Sequence, residues 1–128
     1  MLTRSEILQS ILDKAVENGL SALVLTTEEG LPLSASTGDD YAKAEILAAI
    51  APIFQHTAEQ SGRSLLRSAE EMVMRSSSGN LIVCRFLVIG EENFILAGTV
   101  PKRRPYRRVM NCVIKEIRST WEEVLYGR

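Results

Sequence analysis

Apolar residues along this chain recur at two spacings, three-to-four and two, and the switches between them mark out eight elements. From Thr3 to Asn18, the residues Leu8, Ile11, Leu12, Ala15 and Val16 form one helical stripe, with Asp13, Lys14 and Glu17 on the other side. Thr3 and Glu6 have the spacing of a capping box, and Gly19 is a good C-terminal stop. Leu20 to Thr27 is apolar at both alternating sets, Leu20, Ala22, Val24 and Leu23, Leu25, which predicts a strand covered by helices on two sides. Glu28-Glu29-Gly30 reads as a hairpin turn. The return strand, Leu31 to Ser36, sets Leu31, Leu33 and Ala35 against Pro32, Ser34 and Ser36. Pro32 cannot donate to a ladder, so this strand is expected at a sheet edge.

Thr37-Gly38-Asp39-Asp40 supplies a turn and a helix N-cap, and a second helix is predicted from Asp40 to about Gln60. At 100° per residue its apolar positions Ile46, Leu47, Ile50, Ala51, Ile53, Phe54 and Ala58 span roughly 160°. Ala42, Ala44 and Ala49 widen the arc past half the circumference. One sheet needs about 100°. The surplus points to a second surface, with a symmetric partner the simplest occupant; the alternative is that small alanines merely broaden the arc. Pro52 removes one intrahelical hydrogen bond and predicts a bend near Ala48.

Gly62 to Ser68 reads as a polar link. Three strands follow, at about Ala69–Ser76, Asn80–Ile89 and Asn93–Val100, joined by turns at Ser77-Ser78-Gly79 and Gly90-Glu91-Glu92. The middle strand is apolar both ways, with Leu81, Val83, Leu87 and Ile89 on one face and Ile82, Cys84, Phe86 and Val88 on the other. The strand before it puts Met72 and Met74 on one face and Glu71, Val73 and Arg75 on the other, a mixture suited to an edge. The last helix follows Pro101-Lys102-Arg103-Arg104-Pro105, with Pro105 expected at its first position. Tyr106, Met110, Val113, Ile114, Ile117, Trp121, Val124 and Leu125 lie within about 120° of one another, a single stripe for docking on the sheet. Cys112 falls opposite. The pattern is helix, two strands, helix, three strands, helix: three layers in one domain over residues 1–128.

Composition narrows the class. Of 128 residues 45% are hydrophobic and 24% charged, and fifteen Lys and Arg stand against sixteen Asp and Glu for a net charge of −1. That balance excludes a disordered chain and a polyanion binder driven by whole-chain charge. No apolar run approaches the roughly 20 residues of a membrane span, and the start does not open a signal peptide, so a cytoplasmic protein is expected. Cys84 and Cys112 are too few for a disulfide framework or a zinc site.

Candidate chemistry is sparse. His56, the single histidine, sits on the polar side of the second helix with no second histidine to share a metal. Nothing nearby in sequence activates Cys112, and Cys84 reads as a small core residue. Ser76-Ser77-Ser78-Gly79 lacks a nucleophile-elbow pattern, and neither glycine-rich phosphate-binding motif is present. The acidic pairs Glu28-Glu29, Asp39-Asp40, Glu70-Glu71 and Glu122-Glu123 are adjacent residues whose side chains diverge. The reading is a protein that is not an enzyme, with no catalytic, cofactor-binding or metal-binding residue assigned.

One charged feature stands out. Lys102, Arg103, Arg104, Arg107 and Arg108 put five cations into seven positions at the start of the last helix. Positive charge there opposes the helix dipole and invites an anion or an acidic partner. The plainer reading is a solvated loop whose arginine stems lie over apolar neighbours.

The hairpin Gly19-Leu20-Ser21-Ala22-Leu23-Val24-Leu25-Thr26-Thr27-Glu28-Glu29-Gly30-Leu31-Pro32-Leu33-Ser34-Ala35-Ser36 resembles the opening of roadblock/dynein light-chain (roadblock/LC7) domains. The Ala-rich second helix from Asp40, the closing strand Phe94-Ile95-Leu96-Ala97 and the amphipathic last helix continue the likeness over about residues 4 to 125. The resemblance implies an α+β three-layer sandwich of topology αββαβββα. Its five-stranded antiparallel sheet would run 2-1-5-4-3, with one helix on one face and two on the other. It also implies a homodimer, or a heterodimer with a related chain, built by pairing the third strands and packing the second helices. Ile46, Ile50, Ile53, Phe54, Met72 and Met74 are then the interface candidates. Such proteins are non-enzymatic scaffolds that bind and regulate Ras-like small GTPases or adapt cargo to motors. Here Lys102, Arg103, Arg104, Arg107 and Arg108 are candidates for docking a partner or anion. The Pro-Lys-Arg-Arg-Pro link departs from the small-residue link of the family, so the family's partner contacts do not carry over at that position. Two other readings stay open: a small-molecule sensor holding a metabolite between layers, and an anion- or nucleic-acid-binding module acting through residues 102–108.

Overall fold

The computed structural model describes residues 2–38, 41–65 and 69–126, with side chains placed for 2–38, 43–62 and 69–121. Its order is α1 (Arg4–Glu17), β1 (Ala22–Thr27), β2 (Pro32–Ser36), α2 (Tyr41–Leu65), β3 (Glu71–Arg75), β4 (Leu81–Ile89), β5 (Glu92–Val100) and α3 (Arg107–Tyr126). The strands form one antiparallel sheet in the order β2-β1-β5-β4-β3. The expected N-cap at Asp39-Asp40, the side chains of Ala42, Val124 and Leu125, and residues 66–68 lie outside the described residues.

Two apolar layers hold the sheet. On one side Leu8, Ile11, Leu12 and Ala15 of α1 and Met110, Val113, Ile114, Ile117 and Trp121 of α3 meet Leu23, Leu25, Val83, Leu87, Phe94 and Leu96. On the other, Leu47, Ala48, Ala51, Phe54 and Ala58 of α2 meet Ala22, Val24, Cys84, Ile95 and Ala97. Strands β1, β5 and β4 are apolar on both faces because both are covered. Each fully buried Leu or Ile contributes about 1.5–3 kcal/mol relative to exposure. The outer layer is tied by Phe94 and Trp121 edge-to-face at 4.8 Å, with the Arg4 guanidinium 4.5 Å from the centre of the Trp121 ring. The capping box of Thr3 and Glu6 starts α1 as expected: Thr3 Oγ1 accepts from the Glu6 N–H at 3.1 Å.

Three details differ from the sequence-based expectation. The return strand does not keep Leu33 and Ala35 on one face. The register shifts between Leu25 and Thr26, so Leu33 joins the α1/α3 layer while Ala35 faces α2. A bulge inserts one residue and flips every side chain beyond it. Second, α2 does not stop near Gln60 but continues through Gly62 to Leu65. A lone glycine costs a helix only about 1 kcal/mol relative to alanine and does not end it. Third, α3 begins at Arg107, with the Tyr106 carbonyl accepting from Met110 N–H at 2.9 Å, so Pro105 precedes the first helical residue by two.

Pro52 lies inside α2, and the turn before β2 sits against the helix there. Gly30 has φ +93°, and a Cβ at this position would lie 2.8 Å from the Ala48 carbonyl oxygen and 2.9 Å from Pro52 Cγ. Ala48 is the residue four before Pro52, whose carbonyl loses its intrahelical donor to the proline ring. A hairpin turn with no side chain is what lets the sheet approach α2 at that point. Gly30→Ala is therefore expected to destabilise the fold by about 1–3 kcal/mol in urea unfolding. Gly38→Ala, at φ +63° with nothing within 4 Å, should cost no more than about 1 kcal/mol. Equal effects would show that backbone strain alone, and not the approach to α2, governs Gly30.

Candidate interaction site

The interface candidates of α2 divide between two faces. Phe54 is buried against the sheet and Ile50 packs partly on the same layer, whereas Ile46 and Ile53 are 60% and 62% exposed. These two stand seven residues apart, two helical turns along one side, with Ala49 and His56 exposed on the same side. The broad apolar arc of α2 is thus a covered face plus a bare strip.

Strand β3 lies at the sheet edge. Met72 and Met74 stand opposite Cys84 and Ile82 and share the α2 face; Met72 packs on that layer and Met74 is 49% exposed. Glu71, Val73 and Arg75 stand opposite Arg85, Val83 and Leu81 and face the α3 side. The backbone of β3 is open on one side. Phe86 N–H donates to Glu70 O at 2.9 Å and Ser76 N–H to Asn80 O at 2.8 Å. Because hydrogen-bonded pairs alternate along an antiparallel ladder, Glu70, Met72, Met74 and Ser76 turn their groups toward β4. The N–H and C=O groups of Glu71, Val73 and Arg75 therefore point away from the sheet. The far edge is different: Pro32 has no N–H, and Gln9 Nε2 of α1 donates to the Ala35 carbonyl of β2 at 2.6 Å.

On the α3 side of β3 lies the basic groove, of about 580 Å³, lined by Val73, Arg75, Arg103, Arg104, Arg107 and Arg108 among others. Lys102 flanks it, its N–H donating to Asn80 Oδ1 at 2.9 Å and its stem lying over Gly79. The link turns tightly, with Arg104 N–H on Pro101 O at 3.1 Å and Arg103 at φ +64°. Hydrogen bonding to Tyr106 first, and then the charges of Tyr106 and Glu71, hold the Arg107 guanidinium above its already high ordinary pKa. The structure brings four of the five link cations, Arg103, Arg104, Arg107 and Arg108, to one groove and adds Arg75, a residue of the edge pattern of β3. The alternation Glu71, Val73, Arg75 was its signal.

A second groove of about 460 Å³ lies at the other end of β3, between Ala58 and Gly62 of α2, Glu70, Phe86 to Val88 and Arg118. Arg118 Nη1 donates to the Val88 carbonyl at 2.8 Å. Among the described residues no cluster of His, Cys, Asp and Glu forms a metal site, and no helix is long and apolar enough to cross a membrane.

A three-layer sandwich with this strand order defines a class of fold, and comparison gives it a name. No family model matches the sequence, and no curated protein matches it. Solved structures do match. A Roadblock/LC7 domain from Streptomyces avermitilis superposes with a TM-score of 0.74 at 16% identity, covering 91% of this chain and 97% of that one. The gliding protein MglB from Thermus thermophilus gives 0.68 at 13% identity, over 96% and 94%. An MglB in a tetrameric arrangement gives 0.67 at 13% identity, over 96% and 93%. The fold is that of Roadblock/LC7 domains, as the opening hairpin suggested.

The two cysteines offer a check on this placement. Cys84 is buried among apolar side chains, and desolvation pushes its thiol up to about 12, whereas Cys112 is exposed on α3. A thiol reagent at pH 8 should label Cys112 alone in the native protein and both cysteines in denaturant. Rapid labelling of both under native conditions would contradict the buried position of β4.

Proposed function

We propose that this protein is a non-enzymatic, dimeric regulatory scaffold that binds and regulates a Ras-like small GTPase, acting in the cytoplasm as one roadblock-like domain over residues 1–128. The observation that carries this reading is the Roadblock/LC7 fold, shared over nearly the whole chain with proteins such as MglB. The exposed strip of Ile46 and Ile53 and the open edge of β3 support assembly with a second copy or a related chain. The tetrameric arrangement of one MglB is in keeping with such assembly. In this reading Ile46, Ile50, Ile53, Phe54, Met72 and Met74 belong to the self-association surface, Phe54 and Ile50 from beneath as the packing that holds the strip. Lys102, Arg103, Arg104, Arg107 and Arg108 form a docking surface for an acidic region of the partner. The chemistry of hydrolysis belongs to the GTPase, and the scaffold acts by holding its switch loops.

Light scattering should give a particle of twice the chain mass. Ile53→Glu places a charge on the bare strip and should weaken self-association at least tenfold, about 1.4 kcal/mol. Leu2→Glu, at an equally exposed residue next to α1 on the opposite layer, should leave it unchanged. A concentration-independent monomer would remove the dimer from the reading.

The GTPase is tested by capture from a source-cell lysate in parallel with a GTP analogue and with GDP. Retention of a small GTPase in one nucleotide state alone is expected. Failure to retain one in either state would overturn the regulatory reading. Reversing Arg103 and Arg104 to Glu should weaken that capture and flatten its salt dependence without unfolding the domain. Unchanged capture across a salt series would remove the basic groove from partner docking.

A further inference from the structure

The groove between β3 and the start of α3 is lined by charges of one sign. Arg75 comes from β3, Arg103 and Arg104 from the link, and Arg107 and Arg108 from the first turn of α3. Among the described residues no carboxylate lines it, although the whole chain has sixteen acidic residues against fifteen basic ones. The crowding is local, and the chain's net charge of −1 does not call for it. We infer that this groove binds a compact soluble anion carrying two or three linked phosphate groups, such as inorganic triphosphate or the phosphate chain of a nucleotide. It shares the groove with the docking surface proposed above, but it is tested on this chain alone and stands or falls apart from the GTPase.

Five guanidinium groups around about 580 Å³ repel one another, and the positive end of the α3 dipole adds to them. Glu71 acts on Arg107 but lies outside the lining. An entering anion offsets a repulsion that the free protein already carries. All five cations are arginines, whose planar fork meets phosphate oxygens in pairs and is more weakly hydrated than an ammonium group. Lys102, the lysine of the link, stays outside with its stem over Gly79. Arg104 passes over Gly19 at the end of α1, where an added Cβ would stand 3.8 Å from its Cδ.

Size and walls choose among anions. The volume falls within the roughly 300–1,000 Å³ of small-ligand sites, and Val73, Leu81, Pro101 and Pro105 give the groove apolar walls. Linked phosphates concentrate several negative charges in that space. An extended acidic segment sets its same-face carboxylates about 6.6 Å apart and brings fewer. Orthophosphate brings no more than about two charges to five guanidiniums. A bilayer calls for exposed apolar side chains beside the basic patch. Here Ile46, Ile53 and Met74 belong to the α2 side of the sheet, and Leu31 to the hairpin at its other end. Single-stranded nucleic acid calls for several aromatic faces, and Tyr106 is the one aromatic residue lining the groove.

The test is calorimetric titration of the full chain at fixed ionic strength. Inorganic triphosphate and ATP are each expected to bind at one site per chain, about tenfold or more tighter than orthophosphate. Equal affinities support a site for the phosphate chain, and a tighter ATP supports it with a nucleotide as the ligand. Arg75→Gln and Arg107→Gln, on different elements, should each weaken triphosphate about tenfold, the worth of a charge-assisted hydrogen bond. Arg107→Lys keeps the charge without the fork and should recover only part of the affinity. Lys43→Gln, at an exposed position of α2, should leave affinity within about twofold. Triphosphate should also raise the melting temperature of the wild-type chain, a measurement that serves even if a variant fails to fold. Equal binding of triphosphate and orthophosphate, or an equal loss in Lys43→Gln, would show general ion attraction and overturn the site. Undiminished binding in Arg75→Gln would place the anion outside the groove and overturn it as well. Absence of binding and of any rise in melting temperature would do the same, as would capture only by vesicles containing a phosphoinositide bisphosphate.

Discussion

The structure depends on a sheet whose inner strands are apolar on both faces. In β1 and β5, Leu23 and Leu96 face one layer while Val24 and Ile95 face the other, and all four are withdrawn from water. Such strands are stable only when both faces are covered. The covering is unequal. Two helices, α1 and α3, share one face through a large layer that includes Trp121 and Met110, while α2 alone covers the other with small alanines and Phe54. A single helix on a five-stranded sheet leaves the flank of that face, around Met74 and Val88, to solvent or to a neighbour.

Strand order then decides where the exposed groups collect. With β5 at the centre, the hairpins place β2 and β3 at opposite edges. The β2 edge carries Pro32 and receives Gln9 from α1, which blunts it. The β3 edge has no such cover among the described residues, and it borders the basic groove at the start of α3. One strand therefore has an apolar face, a charged face and an open backbone, the three ingredients of a specific protein contact.

Most of the architecture was legible in the spacing of apolar residues. The eight elements, the capping box at Thr3, the edge position of β2 from Pro32 and that of β3 from its mixed faces all follow from local rules. The illegible parts were those in which a distant element changes a local outcome. The bulge at Leu33 depends on how β2 fits the register of β1. The continuation of α2 past Gly62 shows a lone glycine overridden by the helix around it. The separation of Phe54 from Ile53 depends on which side of α2 meets the sheet, and a broad apolar arc does not disclose that.

The sequence by itself determined the periodicities, the turns and the residue types at each edge, because these are set by interactions within a few positions. It also held the acid-to-base alternation of β3, although one strand read alone does not reveal which groups are open. Tertiary structure decided that the outward backbone groups belong to Glu71, Val73 and Arg75, since that parity is inherited from the register with β4. It also decided that Arg75 joins Arg103, Arg104, Arg107 and Arg108 in one groove. Those side chains come from segments nearly thirty positions apart, and only the packing of α3 beside the β3 edge brings their charges within reach of one another.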